Sequence, residues 1–371
     1  MPIAKQREMK GFRQTMEAWL RERLPDARDL AIDTAETPRA VGNSNETIMF
    51  GATWQEDGRA CSGDYVIRIA PSDFQVMMNP QFRESMLVQR ALGESGLVPT
   101  PKVLWDEADP EVLGAPFFVM ERLRGRVPTD NPSYNDPESW VGRLSPAERE
   151  TLWTSAFQTF CAIHRQDLYT MLDLPLPPPA PGSSGLEQAL AYSDRFIVWA
   201  GDGQVHPVAL ATRDWLHANL PAHRPTGFGW GDPRIENMMF GDDLRCIAVM
   251  DLELANLAGP QADLGWWLFM DTQATLTGNR HPRLEGLGDR ARTLELWREW
   301  TGRPVDDLEW YEVFAGYRNI ACSTRFAILC RQFGRALPST VSALDNSSLR
   351  TTAQMLGLKP PASYDALVTV G

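Results

Sequence analysis

No apolar stretch in this sequence reaches the roughly 18 residues that a membrane span needs. The richest run, DLGWWLFMD at 263–271, is bracketed by acids. The opening MPIAKQREMKGF has neither an apolar segment nor a small-residue cleavage site, so no secretory signal is expected and the cytoplasm is the expected compartment. Cysteine is sparse: Cys61, Cys161, Cys246, Cys322 and Cys330 are scattered without a CxxC, which predicts neither a disulfide framework nor a thiolate metal site. Basic charge is also short, with 36 Lys and Arg against 48 Asp and Glu and a formal net charge of −12. That balance argues against a nucleic-acid partner, which would need clustered cations, and is compatible with neutral or cationic small molecules. No internal repeat is visible. What is present is an ordinary globular composition, 43% hydrophobic and 23% charged, over 371 residues, enough for two domains.

Phe12, Met16, Trp19, Leu20 and Leu24 recur at helical spacing before Pro25. TIMFGATW (47–54) and YVIRI (65–69) read as antiparallel strands joined by the polar stretch QEDGRACSGD. FRESMLVQRAL reads as a helix with Phe82, Met86, Leu87 and Ala91 on one side, and VLW (103–105) and FFVMER (117–122) as two further strands. Beyond Arg122 helical patterns dominate, at 147–166, 185–200, 207–220, 259–275, 289–301, 307–333 and 338–356. A Pro/Gly/Ser loop (174–185) and the strand-bearing segment 227–253 interrupt them. The expectation is an α+β chain with a small sheet-containing domain at 1–122 and a larger, mainly helical one at 123–371.

The chemistry concentrates in GFGWGDPRIENMMFGDDLRCIAVMDLELANL (227–257). Asp232 lies in a loop bounded by Gly229, Gly231 and Pro233, outside any regular element. Asn237 follows. MMF, a turn at GDD and CIAVM then predict a hairpin that returns Asp251 to the neighbourhood of Asn237 and Asp232. Two carboxylates and a carboxamide are an oxygen donor set suited to Mg²⁺, which takes few protein ligands and completes its shell with phosphates and water.

G-D-x4-N, a short hairpin, D-x-E-x-A and P-x-x-D-L-G-W, in that order from Gly231 to Trp266, resemble the catalytic and metal segment of the aminoglycoside phosphotransferase family, relatives of the protein kinases. The resemblance spans about residues 30–270 and implies a protein-kinase-like two-lobed fold: a small lobe with an antiparallel sheet and a larger, mainly helical lobe carrying catalytic and metal loops at 228–266. It implies ATP or GTP with Mg²⁺ bound between the lobes, and transfer of the γ-phosphoryl group to a hydroxyl of a small molecule. By the match Asp232 resembles the aspartate that orients the acceptor hydroxyl, and Asn237 and Asp251 resemble the Mg²⁺ ligands. Asp263 resembles an aspartate that braces the catalytic loop. Arg234 either neutralises charge on the transferring phosphoryl group or pairs with Asp251 or Asp263. Glu253 either touches metal or substrate or makes a structural hydrogen bond. His164 resembles a family histidine and is expected to pack rather than act as a base. The tryptophans are expected mostly in the core, with a few left to line an acceptor pocket.

In the first domain GNSNETIMF (42–50) resembles the loop that covers the nucleotide, with Asn43, Ser44, Asn45 and Thr47 near the phosphates. Arg68 occupies the place of the kinase strand lysine and Glu84 that of its helix partner. VMERLRG (119–125) resembles the hinge that receives adenine, at Met120, Glu121 and Arg122. Three features depart from the family: a single glycine, Gly42, in the covering loop; Arg for Lys at 68, a broader and planar cation; and Trp230 for the usual His before Gly-Asp, an indole that donates one N–H and accepts nothing. Arg68 and Trp230 favour an alternative, a nucleotide-binding pseudokinase that senses or scaffolds, while intact Asp232, Asn237 and Asp251 oppose it. The wording LELANLAGPxxDLGW resembles most closely a branch that also occurs fused to acyl-CoA dehydrogenases. That branch places a metabolic hydroxyl compound, such as a hydroxyacyl-CoA, ahead of an aminoglycoside as acceptor. Neither a nucleic-acid nor a membrane partner is expected.

Overall fold

In the computed structural model, which describes residues 9–37, 45–71, 74–130, 132–277, 281–337 and 341–370, the chain opens with α1 (Met9–Arg23). Phe12, Met16, Trp19 and Leu20 form its buried face, at the predicted spacing. The strands β1 (Arg28–Glu36), β2 (Glu46–Glu56) and β3 (Arg59–Ile69) follow. β1 carries no clean apolar alternation, and the sequence reading had missed it. β2 and β3 are longer than expected: the stretch taken for a connection is itself paired strand, in register from Glu46↔Ile69 to Glu56↔Arg59. The cause is Asp57–Gly58, both at positive φ (51° and 74°), which close the hairpin in two residues.

The helix α2 (Phe82–Ser95) precedes β4 (Val103–Glu107), the short α3 (Pro110–Leu113) and β5 (Phe117–Glu121). The five strands form one antiparallel sheet in the order β1-β2-β3-β5-β4. Ile48, Phe50, Ile67, Ile69, Phe117 and Val119 point from one face into the core beneath α1. The chain divides into two compact units, residues 1–75 with 101–124, and residues 76–100 with 125–371. The segment 76–100 clusters with the larger unit because α2 buries Val88 and Leu92, with Val98, among the aromatic residues of that unit's core. Leu87 and Ala91, assigned to the inner face from the sequence, are only half-buried.

The larger unit is helical: α4 (Pro146–His164), α5 (Leu168–Met171), α6 (Gly185–Ala200), α7 (Pro207–Ala218), α8 (Pro260–Thr272), α9 (Arg290–Thr301), α10 (Leu308–Gln332) and α11 (Ser347–Met355). Ser145 and Ser184 close capping boxes at the starts of α4 and α6. The last helix starts only at Ser347, where Asn346 caps it, later than the sequence pattern suggested. A stacked pair, Phe160 and Trp267, with Phe157 and Trp297, ties α4, α8 and α9 together. α8 lies directly on α10: a Cβ at Gly265 would come within 2.6 Å of the Tyr311 backbone, so only glycine permits this approach. The hairpin β7 (Met238–Phe240) and β8 (Cys246–Val249) sits in this unit, and β6 (Gln204–Val205) with β9 (Val368–Thr369) makes a small separate pair. The class is α+β, as expected, with the antiparallel sheet in one unit and most helices in the other.

Candidate active site

Three contacts fix the loop before Asp232. The Asp263 side chain, fully buried on α8, accepts the backbone N–H of Trp230 at 2.6 Å and of Gly231 at 3.0 Å. His164 Nε2 lies 3.0 Å from the same carboxylate, wedged among Phe160 and Trp297, so it orients Asp263 and packs, as the sequence implied. Arg318 of α10 donates from Nη2 to the Gly231 carbonyl at 3.0 Å. Gly231 itself has φ +91°, and a Cβ there would fall 1.9 Å from the Leu254 carbonyl oxygen. The glycine before Asp232 is therefore obligatory: the loop runs hard against the segment that follows Asp251.

Trp230 turns out to be a staple between two loops. The buried indole donates Nε1–H to the carbonyls of Met250 (3.0 Å) and Asp251 (3.1 Å). Asp251 has φ +57°, a left-handed backbone that is uncommon for a non-glycine residue. From the other side, Met250 N–H donates to the Asn237 carbonyl at 2.9 Å. The predicted hairpin thus brings Asp251, the residue after Met250, back beside Asn237.

The carboxylate of Asp232 is held from two sides. Trp266 Nε1–H donates to Oδ1 at 2.7 Å, and Asn237 Nδ2 donates to Oδ2 at 2.8 Å and to the Asp232 carbonyl at 3.0 Å. With its amide nitrogen so engaged, Asn237 keeps its carboxamide oxygen as its remaining acceptor. Arg234 Nε lies 3.3 Å from Asp232, and its Nη1 pairs with Asp130. These two, rather than Asp251 or Asp263, are its ionic partners. Burial works against the guanidinium charge, but Asp232, Asp130 and Glu236 outweigh it and raise the pKa, so Arg234 stays cationic. Burial pushes neighbouring Glu236 up to about 8, with Asp130 and Asp232 adding to the rise and Arg234 opposing it.

In the smaller unit, strand register brings Thr47 directly opposite Arg68, and Arg68 opposite Phe118. These residues, with Met120 opposite Val66, occupy the sheet face away from α1. Glu121 lies on the other face, opposite Tyr65, and its carboxylate accepts the Lys102 amide at 2.9 Å. The amides of Glu121 and Arg122 are spent on the carbonyls of Lys102 and Asp64. At these two hinge-like positions the N–H groups are therefore engaged within the sheet. Asn45 is buried just before β2, and Asn43 and Ser44 lie outside the described residues.

A cavity of about 630 Å³ opens within the larger unit. Glu84, from the first turn of α2, and Glu253 line it together with Trp266 and Arg318. Among the described residues no group of three or more His, Cys, Asp or Glu side chains is arranged to hold a metal unaided. A two-ligand set of Asn237 and Asp251 suits a Mg²⁺ ion that also binds phosphates.

The sequence profile of the phosphotransferase enzyme family matches residues 36–301, well over half of the chain. The chain belongs to this family. Its kinase-like fold recurs in a Ralstonia eutropha protein provisionally assigned as an aminoglycoside phosphotransferase, with 24% identity, a TM-score of 0.62, and coverage of 92% of this chain and 94% of that one. It recurs also in an amicoumacin kinase solved with AMP-PNP, Ca²⁺ and amicoumacin, with 14% identity, a TM-score of 0.51, and coverage of 94% and 96%. Among curated proteins, mouse acyl-CoA dehydrogenase family member 10 is 27% identical over 293 residues, 75% of this chain. The chain spans about a quarter of that relative's length. Arg318 and Trp266 complete the surroundings of Asp232; Arg318 went unrecognised in the sequence because α10 carries no motif, and Trp266 was read only as core or pocket lining. No helix among the described residues is long and apolar enough to cross a membrane.

Proposed function

We propose that the protein transfers the γ-phosphoryl group of ATP or GTP to a hydroxyl of a small molecule. The observation that carries this reading is the fixed Asp232 carboxylate, held by Trp266 and Asn237 within one hydrogen-bonded loop system that also contains Asp251. Asp232 takes the acceptor hydroxyl's hydrogen bond and aligns its oxygen. The new O–P bond forms as the bond between the γ-phosphorus and the β–γ bridging oxygen breaks, the hydroxyl proton passing to Asp232 and on to solvent, with the nucleoside diphosphate leaving. The Asn237 carboxamide oxygen and Asp251 carboxylate would hold Mg²⁺, which supplies charge neutralisation on the phosphates. Arg234 fixes the Asp232 side chain electrostatically, bridged to Asp130. In the smaller unit Arg68 and Thr47, adjacent across β2 and β3, are assigned to the phosphates. The adenine-facing amide is assigned to Leu123, the first residue past those whose N–H groups the sheet consumes. Support for a metabolic hydroxyl acceptor, such as a hydroxyacyl-CoA, comes from the likeness to an acyl-CoA dehydrogenase family member.

The pseudokinase alternative leaned on Arg68 and Trp230. Trp230 does supply a working staple between the catalytic and metal loops, so its presence counts little against catalysis.

The test is a thermal-shift titration of the purified protein with ATP and with GTP, each with and without Mg²⁺, beside Asp251→Ala and Asp232→Ala. A ligand that binds only the folded state raises the melting temperature. Mg²⁺-dependent stabilisation should vanish in Asp251→Ala and persist in Asp232→Ala, whose phosphoryl transfer is lost. Absence of any nucleotide shift in the wild type overturns the reading; a shift without turnover on any hydroxyl acceptor restores the pseudokinase.

A further inference from the structure

Arg318 is a half-buried cation on α10 that makes no ion pair among the described residues. Its one hydrogen bond goes to the neutral Gly231 carbonyl, and its guanidinium lies over the rings of Trp266 (4.6 Å) and Phe314 (5.7 Å). Among the described residues no carboxylate comes within ion-pairing distance of it. Asp263 and Asp232 act on it only through space, and burial pulls its pKa down. A guanidinium carries five N–H donors, and a single hydrogen bond to a neutral carbonyl leaves most of them to offer to a ligand. Arg318 lines the 630 Å³ cavity, which supplies the place for that ligand.

The rest of the cavity wall narrows the choice. Leu176, Tyr192, Phe196 and Leu254 make much of it apolar. Its acids are two, Glu84 and Glu253, and its cations are two, Arg195 and Arg318. A polycationic acceptor needs an acidic surplus, and this wall has none. Trp266 also belongs to the wall while its indole N–H holds Asp232, so the cavity and the phosphoryl-accepting machinery share one side chain.

We propose that this cavity is the acceptor pocket, and that Arg318 selects acceptors carrying an acyl oxygen near the hydroxyl on an otherwise apolar body. The oxygen belongs either to a free carboxylate or to the carbonyl of its thioester; both accept from a guanidinium. The inference rests on the assignment of Asp232 above. Arg318 is a specificity residue in this scheme, and its hold on the Gly231 carbonyl couples acceptor binding to the loop that bears Asp232.

The experiment measures kcat/KM with Mg²⁺ and the preferred nucleotide for three matched acceptors: a medium-chain hydroxy acid, its coenzyme A thioester, and the diol in which the acyl group is reduced. Kanamycin serves as the polycationic control. At least one acyl compound should exceed the diol by about tenfold or more, the worth of one good charge-assisted hydrogen bond, and kanamycin should be the poorest. The free acid and thioester arms tell which source of the oxygen is used. In Arg318→Gln the acyl preference should shrink to within about threefold while the nucleotide-induced thermal shift is retained. A diol equal to the acyl compounds, a kanamycin preference, or an equal loss on every acceptor in Arg318→Gln overturns the proposal. Should that variant fail to fold, the wild-type ranking alone decides, together with thermal shifts by acid and diol in the absence of nucleotide. Loss of the nucleotide shift in the wild type would instead strike the assignment of the reaction itself.

Discussion

The indole N–H of Trp266 points at the carboxylate of Asp232 and donates to Oδ1 at 2.7 Å, across 34 residues of sequence. Trp266 closes the D-L-G-W motif on α8, so the helix that braces the loop through Asp263 also aims the side chain at its tip. One short helical stretch controls both backbone and carboxylate.

Trp266→Phe keeps the ring's packing and deletes only this donor. A hydrogen bond to a charged group contributes about 1.5–3 kcal/mol. If it orients Asp232 in the reacting complex, kcat should fall roughly 10- to 100-fold with little change in the KM for nucleotide. Steady-state kinetics beside a melting curve decide the matter. An unchanged kcat would show that Asn237 and Arg234 suffice to orient the carboxylate.

Asp263→Asn should act on stability first. The buried carboxylate accepts from two loop amides and faces His164. An amide in its place turns an N–H₂ group toward donors, leaving at least one buried donor unsatisfied at about 1–3 kcal/mol. The melting temperature should drop by several degrees, and the remaining activity should be low because the loop before Asp232 loses its anchor. A variant as stable as the wild type would mean that the loop is held chiefly by Arg318 and Trp230.

These contacts show where the sequence was informative and where it fell silent. The apolar spacing of Phe12, Met16, Trp19 and Leu20 and the alternation around Ile48 and Ile67 reveal helix and strands, because period and burial are local properties. The order Asp232, Asn237, hairpin, Asp251 was legible because a tight turn makes sequence neighbours into spatial ones. Arg318 was invisible: it reaches Gly231 across 87 residues from a helix with buried residues on most sides, and nothing in its surroundings marks it. Asp130 as a partner of Arg234 was equally out of reach, since it sits in an irregular segment 104 residues away. The engagement of the Glu121 and Arg122 amides was hidden for another reason. Strand pairing consumes their amides, and hydrogen-bond accounting becomes possible only once the register is known.

Gly231→Ala tests the close approach of the two loops. The substitution places a methyl group 1.9 Å from the Leu254 carbonyl oxygen at a positive φ. The backbone preference costs about 1 kcal/mol, and forcing an extra carbon into packed structure costs a further 1–3 kcal/mol or so. The loop can escape only by pulling away from Asp263, so lowered stability and lost turnover should appear together. A variant that melts normally but is inactive would localise the strain to the loop; one that melts normally and turns over would refute the contact.

His206 supplies a pH response remote from Asp232. It caps α7, accepting the Val208 N–H at Nδ1 over 3.0 Å, and it is almost fully buried. Burial pulls its pKa below the ordinary 6.5, with the Leu344 backbone, Asp345 and the Pro361 backbone pulling the other way. A folded-state value below the unfolded one means that the unfolded chain takes up the proton first as pH falls. The stability contribution is therefore complete above about 6.5 and declines below it until the folded-state value is reached. The slope from one such proton is at most about 1.4 kcal/mol per pH unit. His206→Asn retains a capping oxygen and cannot titrate. Melting temperatures at pH 7.5 and 5.5 should consequently differ less in His206→Asn than in the wild type, and the two proteins should converge at pH 7.5. Parallel pH responses would place the acid-sensitive group outside this cap.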